Sequence, residues 1–150
     1  MTGVQTCALP ILGATVARDG NAVTVVPCER LDPLVMTIPG DLSSAAFFIV
    51  LAAVTPGSSL TVRGVGVNPF RTGILDVLGG MGADIRQVGE RVEGGEPVAA
   101  LVVRGAELVA ARVAPEEVPG LIDEVPILCV AAAFAAGRTD RKSTRLNSSH

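Results

Sequence analysis

Apolar and polar positions change period several times along this chain, and each change marks an element. Residues 14–16 and 22–26 are rich in β-branched side chains and flank Arg18-Asp19-Gly20-Asn21, whose Asp-Gly step predicts a hairpin. Residues 35–38 read as a short strand stopped by Pro39-Gly40. Asp41-Leu42-Ser43-Ser44 then supplies a helix cap, and residues 45–54 form an apolar helix ended by Pro56-Gly57. That helix is apolar around its circumference, which predicts burial on nearly every side. Residues 60–62 are a strand, and Asn68-Pro69 predicts a capped start for a second helix. Ile74, Leu75, Val77, Leu78 and Met81 give that helix one packed face, and Gly82 closes it. Gly79 and Gly80 weaken its last turn unless a close backbone contact compensates.

Residues 83–86 and 101–104 read as strands around a polar loop rich in Gly and Glu. Residues 109–113 are a further strand, Pro115 to Pro119 a turn or single helical turn, and Asp123 stands before a third, apolar helix, 125–136, ended by Gly137. Strands and helices alternate, which puts the fold in the α/β (α+β) class. The chain also echoes itself. Asp41, apolar helix and Gly57 match Asp123, apolar helix and Gly137, while Leu12-Gly13-Ala14 matches Met81-Gly82-Ala83. A βαβαββ unit of about 70–80 residues accounts for both echoes, with one unit complete and its neighbours cut. A single unit leaves sheet edges unmatched, so the chain reads as part of something larger.

Composition narrows the class. The chain has 150 residues, 49% of them hydrophobic, and a formal net charge of −3, which together exclude a disordered polymer and an electrostatic footprint for nucleic acid. Neither 45–54 nor 127–136 approaches the ~20 apolar residues of a membrane span, so a membrane protein is not expected. Cys7, Cys28 and Cys129 stand in unrelated contexts, which predicts a reducing, cytoplasmic setting without a disulfide frame or zinc site. Cys129 lies within the apolar helix and reads as a small buried hydrophobe.

The ends differ from the middle. The one Lys is Lys142 and the one His is His150, both in a polar tail whose composition departs abruptly from what precedes it. Residues 1–11 carry no charge and no clear period. Both ends, 1–11 and 140–150, are expected to be non-native sequence flanking a native segment, 12–139.

Four local patterns could carry chemistry. The helix start at Asp41-Leu42-Ser43-Ser44 offers hydroxyls and N–H groups to an anion, although Asp41 as a plain cap would repel one. Arg71 could hold a phosphate or carboxylate, or simply be an ion-paired surface side chain. Asp123-Glu124 places adjacent carboxylates at the mouth of an apolar helix, where an ionised Asp123 suits a general base or an acceptor for hydroxyls. The local pattern alone favours Asp123 as a helix cap. Gly64-Val65-Gly66-Val67 does not complete a dinucleotide fingerprint, no phosphate-binding Gly-Lys loop occurs, and a native part without His has no Ser–His or Cys–His pair.

Four segments occur in one order: Ile38-Pro39-Gly40-Asp41-Leu42-Ser43-Ser44-Ala45-Ala46-Phe47-Phe48, Val67-Asn68-Pro69-Phe70-Arg71-Thr72-Gly73, Leu78-Gly79-Gly80-Met81-Gly82-Ala83-Asp84-Ile85 and Leu121-Ile122-Asp123-Glu124-Val125-Pro126-Ile127-Leu128. Together they resemble the 5-enolpyruvylshikimate-3-phosphate synthase family over residues 12–139. The resemblance implies six βαβαββ units in two lobes, each an inside-out α/β barrel. It also implies an enzyme that moves the enolpyruvyl group of phosphoenolpyruvate to the 5-hydroxyl of shikimate 3-phosphate, releases phosphate, and uses no metal or organic cofactor. That reaction serves chorismate and aromatic amino acid formation. The expected partners are those two small molecules alone, with no nucleic acid and no membrane, in a monomeric, cytoplasmic parent.

Asp123 matches the family's substrate-binding proton acceptor. A cap and a base can be one residue, so the resemblance reverses the local preference. The family's following Lys-Glu motif, its N-terminal Lys and its phosphate-binding arginines have no counterpart here, and Ser43-Ser44 matches its structural helix opening. The isolated chain is therefore expected to be inactive. The rivals are the sister enolpyruvyl transferase acting on UDP-N-acetylglucosamine and a non-enzymatic repeat-type interaction module.

Overall fold

A computed structural model of the chain describes Pro10, residues 12–33, Val35, and residues 37–114, 117–137 and 140–141. Strand β1 (Val16–Asp19) and β2 (Ala22–Val25) form an antiparallel hairpin around Gly20-Asn21. The first strand starts later than 14–16 because the two-residue turn pairs Asp19 with Ala22 and sets the register from there. Ala14 is buried off the ladder. The strand expected at 35–38 is absent at its described residues. Only Gly40 pairs, as an isolated parallel bridge with Val65, while Leu34 and Met36 lie outside the described residues.

Helix α1 (Leu42–Val54) starts at Asp41, whose extended backbone and carboxylate bonded to Ser44 N–H (2.9 Å) make the expected cap. Ala46, Ile49, Val50 and Ala53 are fully buried at helical spacing. The expectation of burial all round is corrected: Phe47, Phe48 and Leu51 are 56–63% exposed. Helix α1 packs on β3, β5 and the third helix with one face, and no described element covers the other. The apolar circumference is real, but among the described residues only one side of it is covered.

Strand β3 (Ser59–Gly66) is longer than the expected 60–62. It joins β4 (Asp84–Glu93) and β5 (Glu96–Arg104) in an antiparallel sheet of order β3-β5-β4. The polar stretch expected as a loop is the far half of the β4–β5 hairpin. Gly94 and Gly95 both have positive φ and connect Glu93 to Glu96 in a two-residue turn, and buried β5 gives polar β4 a partner. Ala99, Leu101 and Val103 of β5 are fully buried and carry the sheet's side of the core.

Asn68-Pro69 is not a helix start. The Asn68 carboxamide oxygen accepts from Phe70 N–H (3.0 Å) and its backbone oxygen from Arg71 N–H (2.8 Å), closing a turn on its own side chain. Helix α2 (Gly73–Gly80) follows from Thr72, and all five residues of the expected stripe, through Met81, are buried. No atom lies within 4 Å of where a Cβ would stand on Gly79 or Gly80, so no close contact compensates these glycines.

The strand expected at 109–113 breaks into a bridge from Val109 to Ala136 and strand β6 (Arg112–Val113), which pairs in parallel with β7 (Asp140–Arg141). Pro115 and Glu116 lie outside the described residues; Val118–Gly120 is the single helical turn expected there. Helix α3 (Val125–Phe134) ends before the expected residue 136. It buries Ile127 and Ala131, so Cys129 faces the open side: it is exposed and free, a correction to its expected burial. Cys28 is also exposed and free, and Cys7 lies outside the described residues.

The internal echo has a structural basis. Gly13 and Gly82 share φ of 86° and 88° and each leads into an antiparallel hairpin. Helices α1 and α3 each connect parallel-bridged segments. No helix among the described residues is long and apolar enough to cross a membrane.

Candidate functional site

The starts of the three helices meet at one place. The Asn68 turn delivers Arg71, whose Nη2 lies 3.2 Å from Asp41 Oδ1 at the cap of α1. Gly73, the first residue of α2, lies so close to the turn before α3 that a Cβ would stand 3.1 Å from Leu121 Cδ2 and 3.4 Å from the Gly120 oxygen. Ser43, in the first turn of α1, donates its hydroxyl to Glu124 Oε1 across to α3. Between these ties lies an open cavity of about 130 Å³, lined by Ser43, Phe70, Arg71, Ile122, Asp123 and Glu124. It is smaller than the ~300 Å³ at which small-molecule pockets begin, so by itself it does not enclose a substrate of that kind.

Two expectations hold here, and two change. Asp41 is a structural cap: Ser44 Oγ donates to its Oδ2 (2.8 Å) beside the Ser44 N–H. With Ser43 bonded to Glu124, both serine hydroxyls are engaged, and this helix start presents a carboxylate rather than an anion site. Arg71 is the ion-paired surface side chain that was one of its two expected roles, but it precedes the helix instead of sitting in its first turn. Asp123 lines the cavity and is exposed, yet it is not the cap of α3. That position belongs to Glu124, whose side chain makes no capping bond. Among the described residues no group hydrogen-bonds the Asp123 carboxylate, which leaves it open to the cavity.

Glu124 is what sequence reasoning missed. It is 6% exposed, the one buried charged side chain among the described residues. An adjacent pair of carboxylates before an apolar helix carries the signal that one of them must turn inward, but not which one.

The Asp41 cap makes a pH prediction. Hydrogen bonds from the Ser44 hydroxyl and Ser44 N–H outweigh the opposing effect of burial and, with lesser help from the Arg71 guanidinium and Ser43 N–H, hold its carboxyl below the ordinary value of 3.8. A lowered folded-state value contributes stability that is fully present above pH 3.8 and lost as pH falls through the lower folded value. Asp41→Asn keeps the cap without the titration, so its neutral-pH stability should stay within about 1 kcal/mol of wild type. Its acid limb below pH 3.8 should be flatter. Urea unfolding across that range checks this; an unchanged acid slope in the variant would count against it.

The three helix starts of this mixed α/β fold thus converge on carboxylates, a guanidinium and an open wall. Residues 6–145 match the family described as EPSP synthase (3-phosphoshikimate 1-carboxyvinyltransferase), and the chain belongs to that family. It is 48% identical over 133 residues to the 3-phosphoshikimate 1-carboxyvinyltransferase of Geobacter sulfurreducens, covering 89% of this chain and 31% of the relative. It is 56% identical over 131 residues to that of Geobacter sp. strain M21, covering 87% and 30%. A solved EPSP synthase from Acinetobacter baumannii superposes with a TM-score of 0.85 at 39% identity, over 91% of this chain and 31% of that one. The chain thus spans about a third of the length of its relatives.

Proposed function

We propose that this chain is part of an enzyme that joins the enolpyruvyl group of phosphoenolpyruvate to the 5-hydroxyl of shikimate 3-phosphate and releases phosphate. The observation that carries the proposal is the exposed, uncapped Asp123 carboxylate on the cavity wall, in a chain of this family. Asp123 takes the proton of the 5-hydroxyl as its oxygen attacks C2 of phosphoenolpyruvate. C3 gains a proton from an acid outside this segment and later gives one back as the C2–O bond to phosphate breaks. Nothing is oxidised or reduced.

Isolated, the chain is proposed to be inactive: its wall offers one ion-paired guanidinium to two polyanionic substrates, too little to stabilise developing charge. The proposed native segment is 12–139, with 140–150 set apart by the lone Lys142 and His150 and 1–11 by its lack of charge and clear period, while the family match itself runs over 6–145. A cytoplasmic monomer acting on these small molecules completes the proposal.

The test is a chimera in which residues 12–139 replace the matching third of the Geobacter sulfurreducens enzyme. Phosphate release from phosphoenolpyruvate should require shikimate 3-phosphate. A cooperatively melting chimera that releases none, or that accepts UDP-N-acetylglucosamine instead, would overturn it.

A further inference from the structure

We infer that Glu124 is a positioning residue for this reaction, acting through Ser43 to fix where Asp123 stands; the inference rests on the function proposed above. Glu124 holds the cap position of α3, and a capping side chain ordinarily bonds an N–H of its own first turn. Pro126, one of the first helical residues, has no N–H to give, and Glu124 makes no such bond. Its carboxylate instead crosses to the Ser43 hydroxyl on the neighbouring helix, in a part-buried bond made by a residue that is itself only 6% exposed.

A buried carboxylate needs a donor, and this one's donor among the described residues is Ser43, so the two helix starts are tied at that point. The Glu124 backbone is pinned as well: its N–H donates to Leu121 O (3.0 Å), and its oxygen accepts from Leu128 N–H (2.9 Å). Asp123 is the next residue back, in the turn between Leu121, which is buried, and Glu124. With Leu121 and Glu124 anchored on either side of the turn, the Asp123 backbone has a set position on the wall it shares with Ser43 and Arg71. Asp123 has no side-chain partner to orient it among the described residues, so its placement depends on these backbone and side-chain ties. A base displaced by about 1 Å loses on the order of 10²-fold in rate, which sets the scale of the effect.

The experiment uses the chimera described above and measures kcat and KM for shikimate 3-phosphate. Ser43 is only partly buried, so Ser43→Ala should fold, and its kcat should fall about 10- to 100-fold with KM changed less than about threefold. Ser43→Thr restores the hydroxyl and should recover kcat to within about threefold of wild type. Glu124→Gln keeps an oxygen that accepts from Ser43 and should retain most of kcat, whereas Glu124→Leu should lose as much as Ser43→Ala. The Ser43→Ala/Glu124→Leu double variant should lose little more than either alone, because one tie has been cut twice.

Ser43→Ala with kcat within twofold of wild type, or a loss that Ser43→Thr does not rescue, would overturn the inference. The two layers fail separately. A chimera without activity, or one that is indifferent to Asp123→Asn, sinks the proposed function. An active chimera that needs Asp123 but is indifferent to Ser43 sinks only the positioning role.

Discussion

Asp123→Asn in the active chimera should lower kcat by about 10²- to 10⁴-fold, the range contributed by a positioned proton acceptor. Asparagine matches aspartate in shape and can still accept a hydrogen bond from a substrate hydroxyl, but it cannot take the proton. KM for shikimate 3-phosphate should therefore move far less than kcat. The structure separates this loss from unfolding. Asp123 is exposed, caps no helix and has no hydrogen-bond partner among the described residues, so the substitution should change stability by no more than about 0.5 kcal/mol. Initial rates of phosphate release, with a melting curve on each protein, check both halves. A variant that keeps more than a tenth of wild-type kcat would remove Asp123 from the role of base.

How much of this was legible in the sequence depends on whether the deciding contact is local. The Asp41 cap and the α2 stripe were legible because each is settled within one or two helical turns: Asp41 bonds Ser44, and Ile74 to Met81 share one face. The choice between Asp123 and Glu124 was not. Which of two consecutive carboxylates turns inward is decided by the turn that Leu121 pins, and Leu121 is placed by packing on Gly73, far away in sequence. The far part of strand β4, residues 87–93, was invisible for a related reason. Residues 86–92 are exposed and show no alternation of burial, so the strand exists because β5 offers a buried partner and Gly94-Gly95 can turn. The apolar circumference of α1 announced the helix but overstated its burial, which is confined to one face among the described residues. Phe47, Phe48 and Leu51 show that a helix's own residues do not say whether the elements that cover it lie nearby in the chain.

Gly105→Ala should have the largest effect on stability of any substitution considered, a loss of about 3 kcal/mol or more from overpacking. Its cause is a close approach of two backbones. A Cβ at Gly105 would overlap the Thr55 oxygen and stand 2.8 Å from the Thr55 carbonyl carbon and 3.2 Å from Pro56 Cα. None of these atoms belongs to a flexible side chain. Thr55 ends α1, donates its hydroxyl to Leu51 O (2.7 Å) and its N–H to Ala52 O (3.3 Å), and so cannot move without unwinding the last turn. The other side is equally held, because Gly105 N–H bonds Ser58 O (3.1 Å) and Ala106 N–H bonds Ala53 O (3.0 Å), joining the end of β5 to the end of α1. The same chemical change at Gly79 should have the opposite sign. There the backbone is helical, nothing lies within 4 Å of the new methyl, and Ala should stabilise by about 0.5–1 kcal/mol through the unfolded chain. Urea midpoints for the two variants against wild type decide the matter. A Gly105→Ala midpoint at or above wild type would mean that the close approach between β5 and α1 is not a feature of the folded chain.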